Sequence, residues 1–345
     1  MPGRAAVTAG RLVDRYGRVA RDLRVSVTDR CNLRCTYCMP AEGLPWLPTE
    51  DVLTDEELIR LITIAVQRLG VQEVRFTGGE PLLRRGLERI VAATTALRRT
   101  DGQPPATSLT TNGLGLDRRV AGLVRAGLGR VNVSLDTLDP ERYAKLARRD
   151  RLPGVLAGLA AARDAGLTPV KVNSVLMRGL NDDEAVPLLR WALAEGYRLR
   201  FIEQMPLGPR ETWDADSMIT GQEILAALSE AFTLTPVTGR GADPAQLWLV
   251  DGGGASGQDT VGVIASVTRP FCGDCDRVRL TSDGQLRDCL FARRETDLRG
   301  MLRGGADDQE IAQAWTAAMT RKAAGHGIND PGFLQPGRPM SAIGG

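Results

Sequence analysis

Six cysteines fall into two groups of three, and their spacing marks them as candidate metal ligands. Cys31, Cys35 and Cys38 lie in TDRCNLRCTYCMP, a C-x3-C-x2-C run that brings three thiolates into one loop without a local fourth ligand. A structural zinc site closes with four ligands. A four-iron cluster held by three thiolates instead leaves one iron open for a ligand that brings its own donor atoms. A degenerate zinc loop or three buried thiols are the bland alternatives. Cys272, Cys275 and Cys289 form the second set, C-x2-C-x13-C, with the last cysteine across a hairpin. Spacing alone favours zinc here, either as Cys3His completed by His326 or as a zinc-ribbon remnant. The sharper reading is another three-thiolate cluster with an open iron. His326 is the single histidine, which excludes a two- or three-histidine zinc site and argues against histidine acid–base chemistry.

Loops of this kind need strand ends to hold them. From about 23 to 203 the chain alternates β-rich runs, at 24–28, 73–77, 107–111, 130–135, 169–176 and 198–203, with amphipathic helical stretches. The stretch 54–69 opens on a capping box, Thr54 with Glu57, aligns Leu58, Leu61, Ile62, Ala65 and Leu69 on one face, and stops at Gly70. Helices ending at Gly127, Gly166 and Gly196 follow the same plan. Such alternation predicts a parallel α/β sheet, closed or partly closed as a barrel, with its chemistry at the C-terminal ends of the strands. Beyond 203 the rhythm breaks. A loop-like MPLGPRETWD, a capped helix at 220–232 (Thr220 with Glu223), a Gly-rich loop at 252–257 and a strand-like VGVIASV follow in turn. The hairpin RVRLTSDGQLRDCLF then turns at Asp283-Gly284, residues 306–322 are helical, and the end is rich in Gly and Pro.

Composition bounds the class. The 345 residues suit two domains, or one barrel plus an extension, and 43% apolar with 25% charged residues is ordinary globular usage. No apolar run approaches the roughly 18 residues of a membrane span. The N-terminal MPGRAAVTAGRLVDRYGR lacks the apolar core of a secretory signal, so a soluble cytoplasmic protein without disulfides is expected. A formal charge of +2 is too near neutral for a nucleic-acid binder, and an anionic ligand must meet a local basic cluster. Lys145, Lys171 and Lys322 are the only lysines among 44 basic residues, which singles each of them out.

CNLRCTYC, with its aromatic before the last cysteine, resembles the signature of the radical S-adenosylmethionine (SAM) superfamily. Further superfamily features follow at strand ends and in order: Thr77-Gly78-Gly79-Glu80-Pro81, Thr110-Thr111-Asn112-Gly113, Ser134-Leu135-Asp136 and Phe201-Ile202-Glu203. The glycines let the backbone approach the methionine portion of the ligand, and the carboxyl of Glu80 can meet an amino group. PFCGDCDRVRLTSDGQLRDCLF, its distance from FIEQMP, and the terminal Gly-Gly are together similar to the GTP 3′,8-cyclase family of molybdenum-cofactor biosynthesis. The resemblance runs from about Asp22 to Gly345.

The resemblance implies an incomplete (β/α)6 TIM-like barrel with a C-terminal domain carrying a second iron–sulfur cluster. The implied division is an N-terminal extension (1–22), a radical SAM partial barrel (23–215), an auxiliary-cluster domain (216–330) and a tail (331–345) entering the active site. It implies two [4Fe–4S] clusters, on Cys31, Cys35 and Cys38 and on Cys272, Cys275 and Cys289, with the first cleaving SAM. It assigns Tyr37, Gly79, Ser134 and Met205 to SAM. It assigns Arg24, Arg75, Thr110, Lys171, Arg277, the Val278 backbone and Arg279 to GTP, and places Gly344 and Gly345 at the site. A triphosphate needs several cations in any case, and Arg24, Arg75 and Lys171 stand in apolar strands where an unpaired charge is costly. Arg277 and Arg279, two apart, share a face. The implied product is (8S)-3′,8-cyclo-7,8-dihydroguanosine 5′-triphosphate. An external electron donor and a successor enzyme making cyclic pyranopterin monophosphate are the implied partners, with no nucleic acid or membrane, and the chain is a monomer or homodimer. The rival readings are a peptide maturase with an auxiliary cluster and a non-catalytic zinc or redox module.

Overall fold

The structure, a computed structural model, describes residues 10–209, 213–254 and 259–344. Six parallel strands carry the first half: β1 (Asp22–Ser26), β2 (Glu73–Thr77), β3 (Ala106–Thr111), β4 (Arg130–Ser134), β5 (Lys171–Ser174) and β6 (Arg198–Ile202). Helices α1 (Asp55–Gln67), α2 (Leu87–Ala96), α3 (Leu116–Arg125), α4 (Pro140–Ala147), α5 (Leu152–Asp164) and α6 (Ala185–Glu195) connect them. The expected capping box opens α1: Thr54 Oγ1 accepts the Glu57 N–H at 3.1 Å, and the Glu57 carboxylate accepts the Thr54 N–H at 2.8 Å. Leu58, Leu61, Ile62 and Ala65 bury the inward face of that helix.

The later chain adds α7 (Gly221–Ser229), β7 (Leu234–Pro236), β8 (Gln246–Val250), β9 (Thr260–Ile264), β10 (Arg277–Leu280), β11 (Gln285–Arg287), β12 (Thr296–Asp297), α8 (Leu298–Arg303), α9 (Asp308–Thr320) and α10 (Met340–Ile343). Among the described residues, all twelve strands form one sheet, ordered β12-β11-β10-β1-β2-β3-β4-β5-β6-β9-β8-β7. Both edges of the six-stranded set are therefore extended by later strands: β10 pairs parallel to β1, and β9 pairs parallel to β6. The sequence predicted β9 and the β10–β11 hairpin as elements but not this pairing, which is set by contacts remote along the chain. The β7–β8 hairpin was not predicted at all.

The main core lies between the sheet and its helices, and a smaller apolar cluster of Leu207, Met218, Val267, Phe291, Ile328 and Ile343 roofs the open end. The tail is packed into that roof. The Met340 N–H donates to the Leu207 carbonyl at 3.0 Å, and Arg338 pairs with Asp283, at the hairpin turn, at 2.8 Å. No described helix is long and apolar enough to cross a membrane.

Candidate active site between two cysteine triads

The cluster loop leaves β1 and is laid against the loop after β2. The N–H groups of Gly79 and Glu80 donate to the carbonyls of Thr28 and Arg30 at 2.8 and 2.7 Å. A Cβ on Gly79 would lie 2.4 Å from the Arg30 carbonyl oxygen, so only glycine permits this approach. The Glu80 carboxylate is wholly buried and accepts from Leu82 N–H at 2.9 Å, Thr111 O–H at 2.7 Å and Asn112 N–H at 2.7 Å. Burial pushes it up to about 7 in spite of those bonds. These bonds tie the β2 loop to the end of β3.

Cys35 and Cys38 share a turn, with Cys38 N–H donating to the Cys35 carbonyl at 2.9 Å. Burial, then Cys38, Asp136 and Cys31, push the Cys35 thiol well up. Burial and Cys31 push Cys38 up to about 12 against an N–H from Ser341 in the tail. Three soft donors crowded this way give up their protons to a multiply charged metal centre and to little else. Tyr37 donates its O–H to Asp136 at 2.9 Å, and burial raises that carboxyl to about 6.

The second triad is held around the β10–β11 hairpin. Cys272 and Cys275 flank a tight turn, and Cys289 follows β11. Burial would raise Cys275, but Arg277 and Lys322 outweigh it and bring the thiol to about 7. His326 does not complete a zinc site. Its Nδ1 accepts the Ile328 N–H at 3.1 Å and its Nε2 lies 2.9 Å from the Ser266 carbonyl, so Nε2 donates and both nitrogens are occupied. Among the described residues, no three His, Cys, Asp or Glu side chains close on a single ion. Three thiolates, with His326 otherwise engaged, are a donor set that suits a four-iron cluster with one open iron.

A cavity of about 280 Å³ joins the second triad to the first-triad loop at Tyr37; it is lined by Arg24, Tyr37, Arg75, Thr110, Ser134, Met205, Cys272, Cys275, Arg277, Arg279 and Cys289. Its floor is a cross-strand row. Arg279, Arg24 and Arg75 are partners in register on β10, β1 and β2, which sends their side chains to one face. The Nε atoms of Arg24, Arg75 and Arg277 are buried without a hydrogen-bond partner. Asp22 lies 3.7 Å from Arg24 and 3.6 Å from Arg75, and Glu73 lies 3.0 Å from Arg75. These two carboxylates leave the cations in surplus. Burial and Arg75 draw Arg24 down to about 10, and burial and Arg24 hold Arg279 well below its usual range. A polyanion relieves both the repulsion and the orphaned donors.

Other expected residues lie around this cavity. Lys171 does not line it. It is half-buried on β5, in register with Asn132 and Arg198, and burial followed by Arg200 lowers it to about 8. The Val278 side chain is in the core. Gly344 reaches the cavity floor, where its carbonyl accepts from Arg279 and an added Cβ would lie 2.7 Å from Thr77 Cγ2. Gly345 lies outside the described residues. Sequence reasoning missed Arg200, whose Nε donates to Asn173 Oδ1 at 2.9 Å on the cavity wall. The R-x-R spacing of RLRF, the same as in RVRL, was the available signal. It also missed Phe271, whose ring lies 4.6 Å from the Arg277 guanidinium.

The sequence matches the Radical SAM superfamily over residues 25–192 and Molybdenum Cofactor Synthesis C over 197–328. It is 63% identical to a GTP 3′,8-cyclase of Corynebacterium glutamicum over 97% of this chain and 89% of that one. The chain belongs to the GTP 3′,8-cyclase family. A member from Streptomyces coelicolor is 62% identical over 97% of this chain and 96% of its own. The radical SAM fold recurs in the solved structure of Streptococcus suis SuiB bound to S-adenosylmethionine, with a TM-score of 0.56 at 14% identity. That likeness covers 82% of this chain and 64% of that one. Membership of the family implies SAM and a [4Fe–4S] cluster as working parts.

Proposed function

We propose that this chain converts GTP to (8S)-3′,8-cyclo-7,8-dihydroguanosine 5′-triphosphate, with SAM bound beside Cys31, Cys35 and Cys38. One observation carries the reading: a row of arginines with unpaired buried N–H groups shares one cavity with the second cysteine triad and with Tyr37 of the first-triad loop. When bound, a reduced four-iron cluster at the first triad supplies the electron that splits SAM and so generates the radical that takes the 3′ hydrogen of GTP. The chain does the rest by placement. Gly79 offers its backbone to the methionine part of SAM, while Tyr37, Ser134 and Met205 line the adenosyl side. Arg24, Arg75, Arg277 and Arg279, with Arg200, hold the triphosphate along the floor, Lys171 reaches it from beside Arg200, and Thr110 and the Val278 backbone set its angle. Cys272, Cys275 and Cys289 would hold a second cluster, which would offer an open iron to the guanine base. Gly344 closes the site.

The domain limits at 22, 215 and 330, an external electron donor, a successor enzyme that makes cyclic pyranopterin monophosphate, a cytoplasmic location and a monomeric or homodimeric state belong to the same proposal. The test is anaerobic incubation of the reconstituted chain with SAM, a reductant and each nucleoside triphosphate in turn. 5′-Deoxyadenosine and a cyclised nucleotide are expected with GTP alone. Cleavage of SAM that ignores the nucleotide would refute it.

A further inference from the structure

Lys322 is one of three lysines in the chain and is 2% exposed. Its ammonium donates to the Arg277 carbonyl at 2.7 Å, to Cys275 Sγ at 3.3 Å and to the Cys275 carbonyl at 3.5 Å. Among the described residues no carboxylate forms an ion pair with it; Asp288, the acid that senses its charge, is not within pairing distance. A buried ammonium without a counter-charge is costly, so its position calls for an anion. The sulfur it touches belongs to the second triad, and a four-iron cluster on three thiolates is an anion. On the other side of the same turn, Arg18 donates to the carbonyls of Cys272 at 2.6 Å and of Ala323 and Ala324 at 2.6 and 2.9 Å. Both cations grip the turn, but only Lys322 reaches a ligand sulfur.

We propose that Lys322 sets the reduction potential of the cluster held by Cys272, Cys275 and Cys289, through the N–H···S bond from its ammonium to Cys275 Sγ. This rests on the reading of that triad as a cluster site. Hydrogen bonds to ligand sulfurs and nearby charge are among the determinants of iron–sulfur potentials. One-electron reduction adds a negative charge to the cluster, so a cation at 3.3 Å favours the reduced form over the oxidised one and raises the potential. Because the same ammonium holds the Arg277 carbonyl, the cluster ligand and a cavity-floor cation share one anchor. Lys322 acts through Cys275 and is a positioning residue.

The test uses the full chain with Cys31, Cys35 and Cys38 replaced by Ala, so that only the second triad loads, followed by a redox titration monitored by electron paramagnetic resonance. In this background K322M is expected to shift the one-electron reduction equilibrium at least about tenfold toward the oxidised form, which is about 59 mV. K322R, which keeps charge and donors, is expected to stay close to the parent, and K322Q to fall between. Equal potentials in the parent and K322M would overturn the inference. Should K322M lose its iron, K322Q decides in the same way: a lowered potential supports the inference and an unchanged one overturns it. If the parent itself binds no iron, the reading of the triad fails, and the inference fails with it.

Discussion

Raising the pH from 7 to 9 is expected to weaken GTP binding through Lys171. Burial and neighbouring Arg200 bring this lysine to about 8 in the free protein, and Arg130 and Arg75 act in the same direction, against Asp243. A phosphate contact restores the charged form. One charge-assisted hydrogen bond contributes about 1.5–3 kcal/mol, or about 10- to 150-fold in affinity. By linkage the bound triphosphate then raises the lysine by about one to two units, to between about 9 and 10. The sign follows: the contribution is complete below 8 and is lost as pH climbs from 8 through the bound value. At pH 9 the loss is about 5- to 10-fold relative to pH 7. Calorimetric titration of the reconstituted chain with GTP across this range measures it. K171R keeps its charge throughout and is expected to lack this component. K171M is expected to bind about 10- to 150-fold more weakly at pH 7 and to lack it also. Guanine has its own titration near the upper end, but that is common to all three proteins and cancels in their ratios. Parallel curves for the parent and K171R through pH 9 would refute the placement of Lys171 beside the triphosphate.

Other expectations follow from the same geometry. Anaerobic reconstitution is expected to load about eight irons, falling to about four when either triad is replaced, by iron assay. C31S is expected to abolish SAM cleavage, while C289S leaves some uncoupled 5′-deoxyadenosine but no cyclised nucleotide, resolved by chromatography. Deleting Gly344 and Gly345 is expected to leave iron content and melting temperature unchanged while turnover falls about a hundredfold or more. R18M leaves Asp14 and three carbonyls without the guanidinium and is expected to cost about 3–5 kcal/mol, read by chemical denaturation.

Local chemistry made much of this fold legible. The strands β1–β6 are short β-branched runs between caps and glycines, and the capping boxes at Thr54 and Thr220 fix helix starts from four residues each. The β7–β8 hairpin escaped because LTP carries a proline and QLWLV lacks a clean alternation. In the site, cysteine spacing marked the two triads and charge inside apolar strands singled out Arg24, Arg75 and Lys171, while the assignment of these and of Arg277 and Arg279 to GTP came from the family resemblance. The bonds from Glu80 to Thr111 and Asn112 were not legible because those partners stand at the end of another strand. Arg18 and Lys322 grip a turn more than 40 residues away along the chain, and no periodicity encodes that.

The pairing of β10 onto β1 has a consequence for how the protein is made. Asp22 and Arg277 are register partners about 255 residues apart. At about 5–20 residues per second, a ribosome needs about 13–50 s to reach the second partner after the first. Through that interval the outer edge of β1 has no strand to pair with, while the first cysteine triad, a few residues further on, has already emerged. The nascent chain thus offers its iron ligands before the wall behind them exists. Cluster insertion at the first triad and protection of the bare β1 edge are tasks of the same stage of synthesis, and the barrel is finished only when the last third of the chain comes back to it.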